Sequence, residues 1–317
     1  MQSLSRTLAP VASLLLLAAP LLRAQDGKPE IYGAGLFTTG KWDFFMAFTP
    51  SQDRIWFCEA NDNFSEYRIW ETHQVSRGRW STPTAPGFAP GWGNADPHVS
   101  PDGKAIFFIS NRATAEDNGS KPAYHIWRAA IGSDNHVAPP VRLPAPINLP
   151  GTDDFSPSVA GNGDLYFGSD RPGKHAGYNI WMARKGADGY FPPEELDDSI
   201  NTAGNEVEPW VSPDGSYMIF SGTSRADSVG HYDLYVSRRV SGVWQSARPL
   251  PGGINTPKSE FNQSVSPDGR WLYFSSDRPH GGPIGERFDY PRNDFSVSGI
   301  GNGKGDIYRV AMSAVGF

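Results

Sequence analysis

The sequence predicts an all-β protein, a five-bladed β-propeller whose blades are four-stranded antiparallel sheets. Three observations lead to this fold. A strand–turn–strand unit recurs five times along the chain, and the spacing from turn to turn is about 51 to 60 residues, which is typical of propellers and related arrays. Aromatic residues make up 13% of the chain, which also contains 35 Gly and 28 Pro. Such a composition suits a fold with a large core and many turns.

The hairpin that repeats is clearest at residues 260–278, EFNQSVSPDGRWLYFSSDR. Its Ser-Pro-Asp-Gly at residues 266–269 favours a turn, because Pro presets φ, Asp caps its own backbone and Gly accepts a positive φ. The large residues at 271–274 are typical of a buried strand. Related hairpins occupy residues 94–112, 154–171 and 206–225, with a degraded copy at residues 43–61.

A third and a fourth strand complete each unit. The third strands are predicted at residues 67–70, 125–127, 179–181, 233–235 and 306–308. The last unit lacks a fourth strand, because the sequence stops at Phe317. Residues 31–38 resemble the outer strand and exit of other units, so we expect them to complete the last blade and cover its open edge. The alternative, six blades, requires a unit that the sequence does not show.

These units resemble the TolB-type, WD-like β-propeller repeat of bacterial periplasmic and secreted proteins. Four of the five units match the pattern of an acid, a Pro-Asp-Gly hairpin, Tyr-Phe-x-Ser-x-Arg and Gly-x-Asp-Ile-Tyr. The first unit departs from it, since it lacks Pro-Asp-Gly and the Ser-x-Arg end. The resemblance implies the fold but no single activity, because the family includes interaction modules, parts of larger peptidases and some polysaccharide lyases.

Residues 1–24 are predicted to be a secretory signal peptide, and residues 25–317 a single propeller domain. Arg6 precedes an apolar run at residues 8–22, and Leu22-Arg23-Ala24 is a suitable cleavage site. The run is about 15 residues long and contains two prolines, which is short for a membrane span. We therefore expect a periplasmic or secreted protein with no membrane span after cleavage.

Composition and motifs narrow the classes of partner and cofactor. The formal net charge of −6 and the lack of a basic cluster disfavour a nucleic-acid partner. Cys58 is the only cysteine, so it cannot form an intrachain disulfide, and its place in a strand favours a buried apolar role. We expect no cofactor and no metal, and we expect a monomer. The histidines predicted near one channel mouth lack metal-ligand spacing: His98, His125, His175, His231 and His280.

One position at the start of each inner strand carries an acid or an amide: Asp43, Asn94, Asp154, Glu206 and Glu260. The second strand returns antiparallel and ends in an arginine in four units: Arg112, Arg171, Arg225 and Arg278, with Asn61 in the first. We expect acid and arginine to meet around one mouth of the channel. One interpretation is that each guanidinium pairs with a carboxylate and that these pairs tie the blades together. The other is that part of this ring of acids and arginines binds a polar ligand. Asp43 is the first candidate for a ligand contact, because its unit has no arginine.

A long loop at residues 279–305 is predicted to cap the same mouth. Loops longer than about 15 residues in a compact domain are usually functional or disordered, and the aromatic residues of this loop argue against plain disorder. Arg287 and Tyr290 are its candidate ligand contacts.

The preferred function is a non-catalytic binding or scaffolding module for a protein or a saccharide at the mouth and the loop. The alternative is a carbohydrate-active enzyme, a glycoside hydrolase or polysaccharide lyase. Its candidate general acid and base are Asp43, Asp154, Glu206 and Glu260. Two mouth carboxylates without arginine partners, one with a raised pKa, would favour the enzyme. Four aromatic residues are candidates to stack on sugars, although they also suit packing between blades: Trp42, Trp92, Trp210 and Tyr232.

Overall fold

A computed structural model describes residues 27–91, 93–114, 123–251, 253–279, 284–285 and 299–316. These residues form the predicted five-bladed propeller of antiparallel sheets. The predicted signal peptide lies outside the described residues, so it stays a prediction. No helix in the described part of the chain is long and apolar enough to cross a membrane.

The strands follow one another blade by blade. The first blade contains β2 (Trp42–Phe48), β3 (Arg54–Ala60), β4 (Tyr67–Ser76) and β5 (Arg79–Trp80), and it follows β1 (Glu30–Ile31), which belongs to the fifth blade. The second contains β6 (Asn94–Val99), β7 (Ala105–Ser110), β8 (His125–Ala130) and β9 (Val141–Arg142). The third contains β10 (Asp154–Val159), β11 (Leu165–Ser169), β12 (Asn179–Ala183) and β13 (Glu194–Glu195).

The last two blades repeat this order with small changes. The fourth contains β14 (Glu206–Val211), β15 (Tyr217–Gly222), β16 (Asp233–Val240), β17 (Val243–Trp244) and β18 (Arg248–Pro249). The fifth contains β19 (Glu260–Val265), β20 (Trp271–Ser276) and β21 (Asp306–Ala311), followed by a 3-10 helix (Met312–Ala314). In every blade the first strand is the innermost, and the large buried side chains of the second strands pack between blades. Cys58 is one of these fully buried residues.

The Ser-Pro-Asp-Gly turns work as their chemistry predicts. In the fifth blade the Ser266 hydroxyl donates to Asp268 Oδ1 at 2.6 Å and accepts from the Trp271 backbone N–H at 3.0 Å. Gly269 follows with a φ of 69°, in the left-handed region that Gly enters without steric cost. The turn therefore fixes the register of the two innermost strands.

The N-terminal strand closes the ring, as predicted. β1 pairs with β21, and Glu30 bonds Arg309 at 2.8 Å. The strand is shorter than the predicted segment, because the chain turns after Tyr32 through Gly33, whose φ is 62°. Thr38 then holds the turned segment against β21: its hydroxyl donates to the Tyr32 carbonyl at 2.9 Å and accepts from the Ile307 N–H at 3.2 Å.

Replacing Thr38 by valine tests this closure. The variant keeps the side-chain shape but leaves the buried Ile307 N–H and Tyr32 carbonyl without the hydroxyl, so we expect a loss of about 1 to 3 kcal/mol of unfolding free energy. Urea denaturation measures the loss. Thr84→Val, at an exposed threonine, is the control and is expected to change stability by less than about 0.5 kcal/mol. Equal effects in the two variants would contradict a closing role for Thr38.

Candidate functional site

Each inner strand contains a β-bulge two residues after its acid or amide. In three blades a proline follows the bulge residue, and proline has no N–H to donate to the ladder. A bulge re-aims the side chain it carries. The five bulge residues share a φ between 48° and 57°, which non-glycine residues rarely adopt: Phe45, Asp96, Ser156, Glu208 and Asn262.

The bulge residues separate two cavities at opposite ends of the inner strands. The turn-side cavity, about 350 Å³, is lined by the hairpin turns, including Pro101, Pro213 and Pro267. The mouth cavity, about 320 Å³, lies where the inner strands begin. It is lined by four tyrosines and by two of the bulge carboxyl groups: Tyr67, Tyr124, Tyr178, Tyr232, Asp96 and Glu208.

These tyrosines, the tyrosine ring, occupy one position of the repeat, two residues before the Ile or Leu of each third strand. Their backbone carbonyls accept from the N–H that opens or precedes the next inner strand, at 2.7 to 3.0 Å. The ring is thus anchored by the contacts that join the blades. The fifth blade has Gly305 at this position. Phenylalanines extend the aromatic surface, and Phe155 packs against Tyr178 at 5.2 Å between ring centroids.

Asp96 lies on the floor of the mouth cavity and is 8% exposed. Its Oδ2 accepts hydrogen bonds from the backbone N–H and the hydroxyl of Ser156, both at 2.9 Å. Burial raises the pKa of Asp96 to about 7, and the charge of Glu208 adds to the rise, while the Ser156 bonds oppose it. Asp96 is therefore a carboxyl group that gains and loses its proton near neutral pH.

Glu208 occupies the equivalent position two blades away. Its Oε2 accepts from the Asn262 N–H and from the Ser221 hydroxyl, both at 2.7 Å. Burial raises the pKa of Glu208, and these bonds oppose the rise in part. The charge of Glu208 also adds to the raised pKa of Asp96, so ionised Glu208 favours the protonated form of Asp96.

No lysine, arginine or histidine lines the mouth cavity among the described residues. The charged groups that act on the tyrosine ring are negative. Burial raises the pKa of Tyr67 and of Tyr232 to about 12, and Glu208 adds to both shifts, with Asp96 adding to that of Tyr67. The cavity is therefore aromatic at its walls and anionic at its floor.

The acid–arginine ring predicted from the repeat lies elsewhere. The partners do meet: Arg171 bonds Asp154 at 2.5 Å, and the equivalent pairs of the next two blades meet at 2.9 and 3.0 Å. Arg112 reaches the Asn94 side-chain oxygen at 3.0 Å. All of these acids and the amide are buried, and none lines the mouth cavity: Asp154, Glu206, Glu260 and Asn94.

The Arg171 pair shows what this ring does in the fold. The guanidinium packs over Phe167 and Trp181, at 4.8 and 5.4 Å from the ring centroids, and donates to the backbone carbonyl of Ile147 in the linker before the blade. Burial alone would raise the pKa of Asp154, but His125 and Arg171 hold it below its usual value. The pair therefore joins an inner strand, a second strand and the preceding linker.

Asp43 lacks an arginine, as predicted, yet it is fully buried and does not line the mouth cavity. It accepts from the Thr39 N–H at 2.6 Å, and burial raises its pKa well above the usual value, with Glu59 and Asp306 adding to the rise. Asn61, which stands in place of the arginine, bonds its own loop at Ser65.

The catalytic and ligand-binding roles first assigned to the ring thus stay predictions: Asp43, Asp154, Glu206, Glu260, Arg112, Arg171, Arg225 and Arg278. The other two candidates, Arg287 and Tyr290, lie outside the described residues. The ring geometry favours its architectural role, because every acid is enclosed by hydrogen-bond donors from the fold itself.

Contrary to expectation, none of the described histidines lines the mouth cavity, and His280 lies outside the described residues. His98 lies in the turn-side cavity, where its Nε2 accepts from the Val159 N–H at 3.0 Å. His98 is the fifth of the six residues of its strand and therefore lies near the hairpin turn. His175 instead bonds Glu195 of the outer strand at 2.7 Å. Within the described ranges, no group of three or more His, Cys, Asp or Glu residues is placed to hold a metal ion.

The aromatic residues that were candidates to stack on sugars lie in different parts of the fold. Tyr232 lines the mouth cavity, whereas Trp210 lines the turn-side cavity. Trp42 packs against Phe64, at 4.3 Å between ring centroids, and Trp92 lies outside the described residues.

Sequence reasoning missed Asp96 and Glu208. A regular strand alternates its side chains, so residues at i and i+2 share a face. This rule places the two carboxyls on the same face as Asn94 and Glu206, which precede them by two residues and are buried. The bulge breaks that alternation. A usable signal was present, because this position changes in chemical type from unit to unit while the residue before it is apolar in every unit.

Comparisons with known proteins agree with the fold. No protein-family model matches the chain, and no curated protein matches it. Among solved structures it is similar to a thermostable family-43 glycoside hydrolase, with 13% identity and a TM-score of 0.51 over 86% of this chain and 89% of that one.

Two further structures show the range of proteins with a related fold. A family-43 glycoside hydrolase (GH43_12) from a capybara gut metagenome has 11% identity and a TM-score of 0.50 over 90% of this chain and 54% of that one. TolB from Acinetobacter baumannii has 16% identity and a TM-score of 0.44 over 86% of this chain. The chain spans 54% of the TolB chain, about half its length. At these identities the likeness is one of fold alone, the β-propeller that the repeat predicts.

Proposed function

We propose that the protein binds a saccharide in the mouth cavity. The observation that supports this most is the combination of aromatic walls with a floor of polar bulge residues. Sugars offer apolar ring faces and hydroxyl edges, and this cavity presents a surface for each. A periplasmic or secreted location, which the first 24 residues favour, would expose the cavity to glycans outside the cytoplasm.

The size and fixed position of the cavity support small-ligand binding. Its volume of about 320 Å³ lies within the range of small-molecule pockets. The tyrosine ring is held by backbone bonds between blades, so its aromatic surface is formed before a ligand arrives. Such preorganisation reduces the entropy cost of binding.

Alanine at Tyr67 or Tyr232 is expected to weaken saccharide binding about tenfold, because each variant removes one aromatic contact surface worth about 1 kcal/mol or more. Isothermal titration with a panel of oligosaccharides measures the change. Phe191→Ala, at an exposed aromatic residue outside the cavity, is the control and is expected to leave affinity unchanged. If the tyrosine variants bind every sugar as tightly as the parent, the cavity is not the site.

Glycoside cleavage is the second candidate function, and a specific observation favours it. Asp96 and Glu208 are two mouth carboxyls with no arginine partner in the described part of the chain, and both have raised pKa values. This is the feature expected of the enzyme, although it occurs at residues other than the first candidates. The similarity to family-43 hydrolases is one of fold, so the hypothesis of glycoside cleavage rests on Asp96 and Glu208.

The chemistry assigns each carboxyl a role. Protonated Asp96 would donate its proton to the glycosidic oxygen as the bond to the anomeric carbon breaks, and ionised Glu208 would take a proton from the water that attacks that carbon. The products are two sugars with one water consumed. The raised pKa of Asp96, about 7, keeps that proton available near neutral pH.

Asp96→Asn and Glu208→Gln are each expected to lower cleavage about 10²- to 10⁴-fold, the usual contribution of general acid–base catalysis. An assay of new reducing ends measures the rate. Both variants keep the side-chain shape, and unchanged far-UV circular dichroism would show that they fold. If the parent binds oligosaccharides but releases no reducing ends, the protein is a binding module.

A further inference from the structure

The described residues that line the mouth cavity include no lysine, arginine or histidine to neutralise its carboxyl groups when they ionise. Asp96 Oδ1 accepts no hydrogen bond from any described residue, although the side chain is more than nine-tenths buried. The arginines of the acid–arginine ring already donate to other groups. Arg112, for example, donates to the Phe88 carbonyl and to Asn94, both at 3.0 Å.

The rim of the cavity adds to this charge. Asp153 lines the cavity and accepts from the Tyr124 N–H at 2.9 Å. Glu66 and Asp170 also act on ring tyrosines as negative groups. A neutral sugar can donate hydroxyl hydrogen bonds to these carboxyls, but it brings no positive charge to offset theirs, so part of the cost of removing them from water remains.

The aromatic walls suit a cation as well as a sugar. The faces of tyrosine and phenylalanine attract an ammonium group within about 6 Å of the ring centroid, and cages of such rings recognise organic cations. An alkyl ammonium group has three donors and no acceptor. It can therefore donate to Asp96 Oδ1 and to Glu208 while its carbon neighbours contact the tyrosine ring.

We infer that the mouth cavity selects a saccharide unit bearing a free ammonium group, an amino sugar without its acetyl group, held by Asp96 and Glu208 within the tyrosine ring. This inference rests on the proposed saccharide-binding function and names the class of its ligand. The ammonium group donates to both carboxyls and offsets one negative charge of the pair, and the sugar ring fills the aromatic part of the cavity.

Binding is then linked to a proton. The titratable groups that act on or face Asp96 are Glu208, Tyr67, Tyr124 and Cys58, and none carries positive charge. In the free protein the Asp96 pKa of about 7 leaves this carboxyl largely protonated at pH 6.5. An ammonium ligand favours the ionised form, so binding at that pH releases protons.

The test compares the trisaccharide of glucosamine with that of N-acetylglucosamine, by titration calorimetry of the full chain at pH 6.5 in two buffers of different ionisation enthalpy. We expect the free amine to bind at least tenfold more tightly and to release protons. Equal affinities would overturn the amine inference and leave saccharide binding standing. If neither sugar binds, the proposed function fails together with the inference.

Carboxyl variants and n-butylamine separate the contribution of the carboxyl pair to binding from that of the sugar ring. Asp96→Asn combined with Glu208→Gln is expected to bring the affinity ratio close to one and to abolish proton release. Asp198→Asn, at an exposed carboxyl on the outer side of a blade, is expected to keep both. If the double variant retains the preference, the carboxyl pair does not select the ligand. If n-butylamine binds as tightly as the glucosamine trisaccharide, the sugar ring contributes nothing and the saccharide proposal is overturned.

Discussion

Replacing Arg171 by alanine is expected to lower the free energy of unfolding by about 3 to 5 kcal/mol, the usual cost of removing one partner from a buried ion pair. Both members of the pair are buried, with 5% and 0% of their side chains exposed for Arg171 and Asp154. The variant leaves the Asp154 charge without its cation. It also removes the donors to the linker carbonyls of Pro146 and Ile147 and the packing over Trp181.

Urea denaturation at pH 7 measures this loss, with Arg184→Ala as the control in the same blade. Arg184 and Glu194 form an exposed pair at 3.6 Å, and such pairs contribute about 0 to 1 kcal/mol. A loss for Arg171→Ala no larger than that of the control would mean that the buried ring does not hold the blades together.

The second large effect concerns the pH dependence of stability. The pKa of Asp96 is about 7 in the folded protein and about 3.9 in an unfolded chain. The folded state therefore binds more protons between these values, so this group favours folding at low pH. Its contribution is lost as the pH rises from about 4 to about 7, and it amounts to about 4 kcal/mol.

Asp96→Asn removes that contribution. We expect the unfolding free energy of the variant to fall less than that of the parent between pH 4 and pH 8, and the variant to be the more stable protein at pH 8. Denaturation curves of both proteins across this range measure the difference. Asp102→Asn, at a turn carboxyl whose pKa is lowered by Ser100, is the control and should leave the pH dependence between pH 4 and pH 8 nearly unchanged, because this group titrates below that range. Parallel curves for Asp96→Asn and the parent would contradict a buried, protonated Asp96.

The fold could be predicted because its determinants are local. The turn chemistry of Ser266, Asp268 and Gly269 acts within four residues, and it repeats along the chain. Closure by β1 could also be predicted, since the last unit lacks a strand and the first residues offer one. The length of β1 could not, because it depends on the turn at Gly33 and on contacts with Ile307, far along the sequence.

The candidate site was harder to predict for a related reason. The acids and arginines attract attention because they recur, and in three blades the pair joins an inner strand, the end of the second strand and the preceding linker. The groups in the mouth cavity stand where the units differ, at Asp96 and Glu208. Their direction depends on a bulge with positive φ, and the regular alternation of a strand does not predict a bulge.

Residues outside the described ranges bear on the remaining predictions. The cap predicted at residues 279–305, of which 280–283 and 286–298 lie outside the described residues together with Arg287 and Tyr290, stays a prediction, as does the signal peptide of residues 1–24. A protein partner at the loop therefore remains a prediction that is separate from the mouth cavity.

A crystal structure of the protein with the glucosamine trisaccharide is the most direct test that the mouth cavity is the functional site. We predict a sugar ring against Tyr67 or Tyr232, with its ammonium group within hydrogen-bond distance of Asp96 Oδ1. A sugar bound elsewhere, or an empty mouth cavity at a concentration that saturates binding in solution, would contradict this assignment.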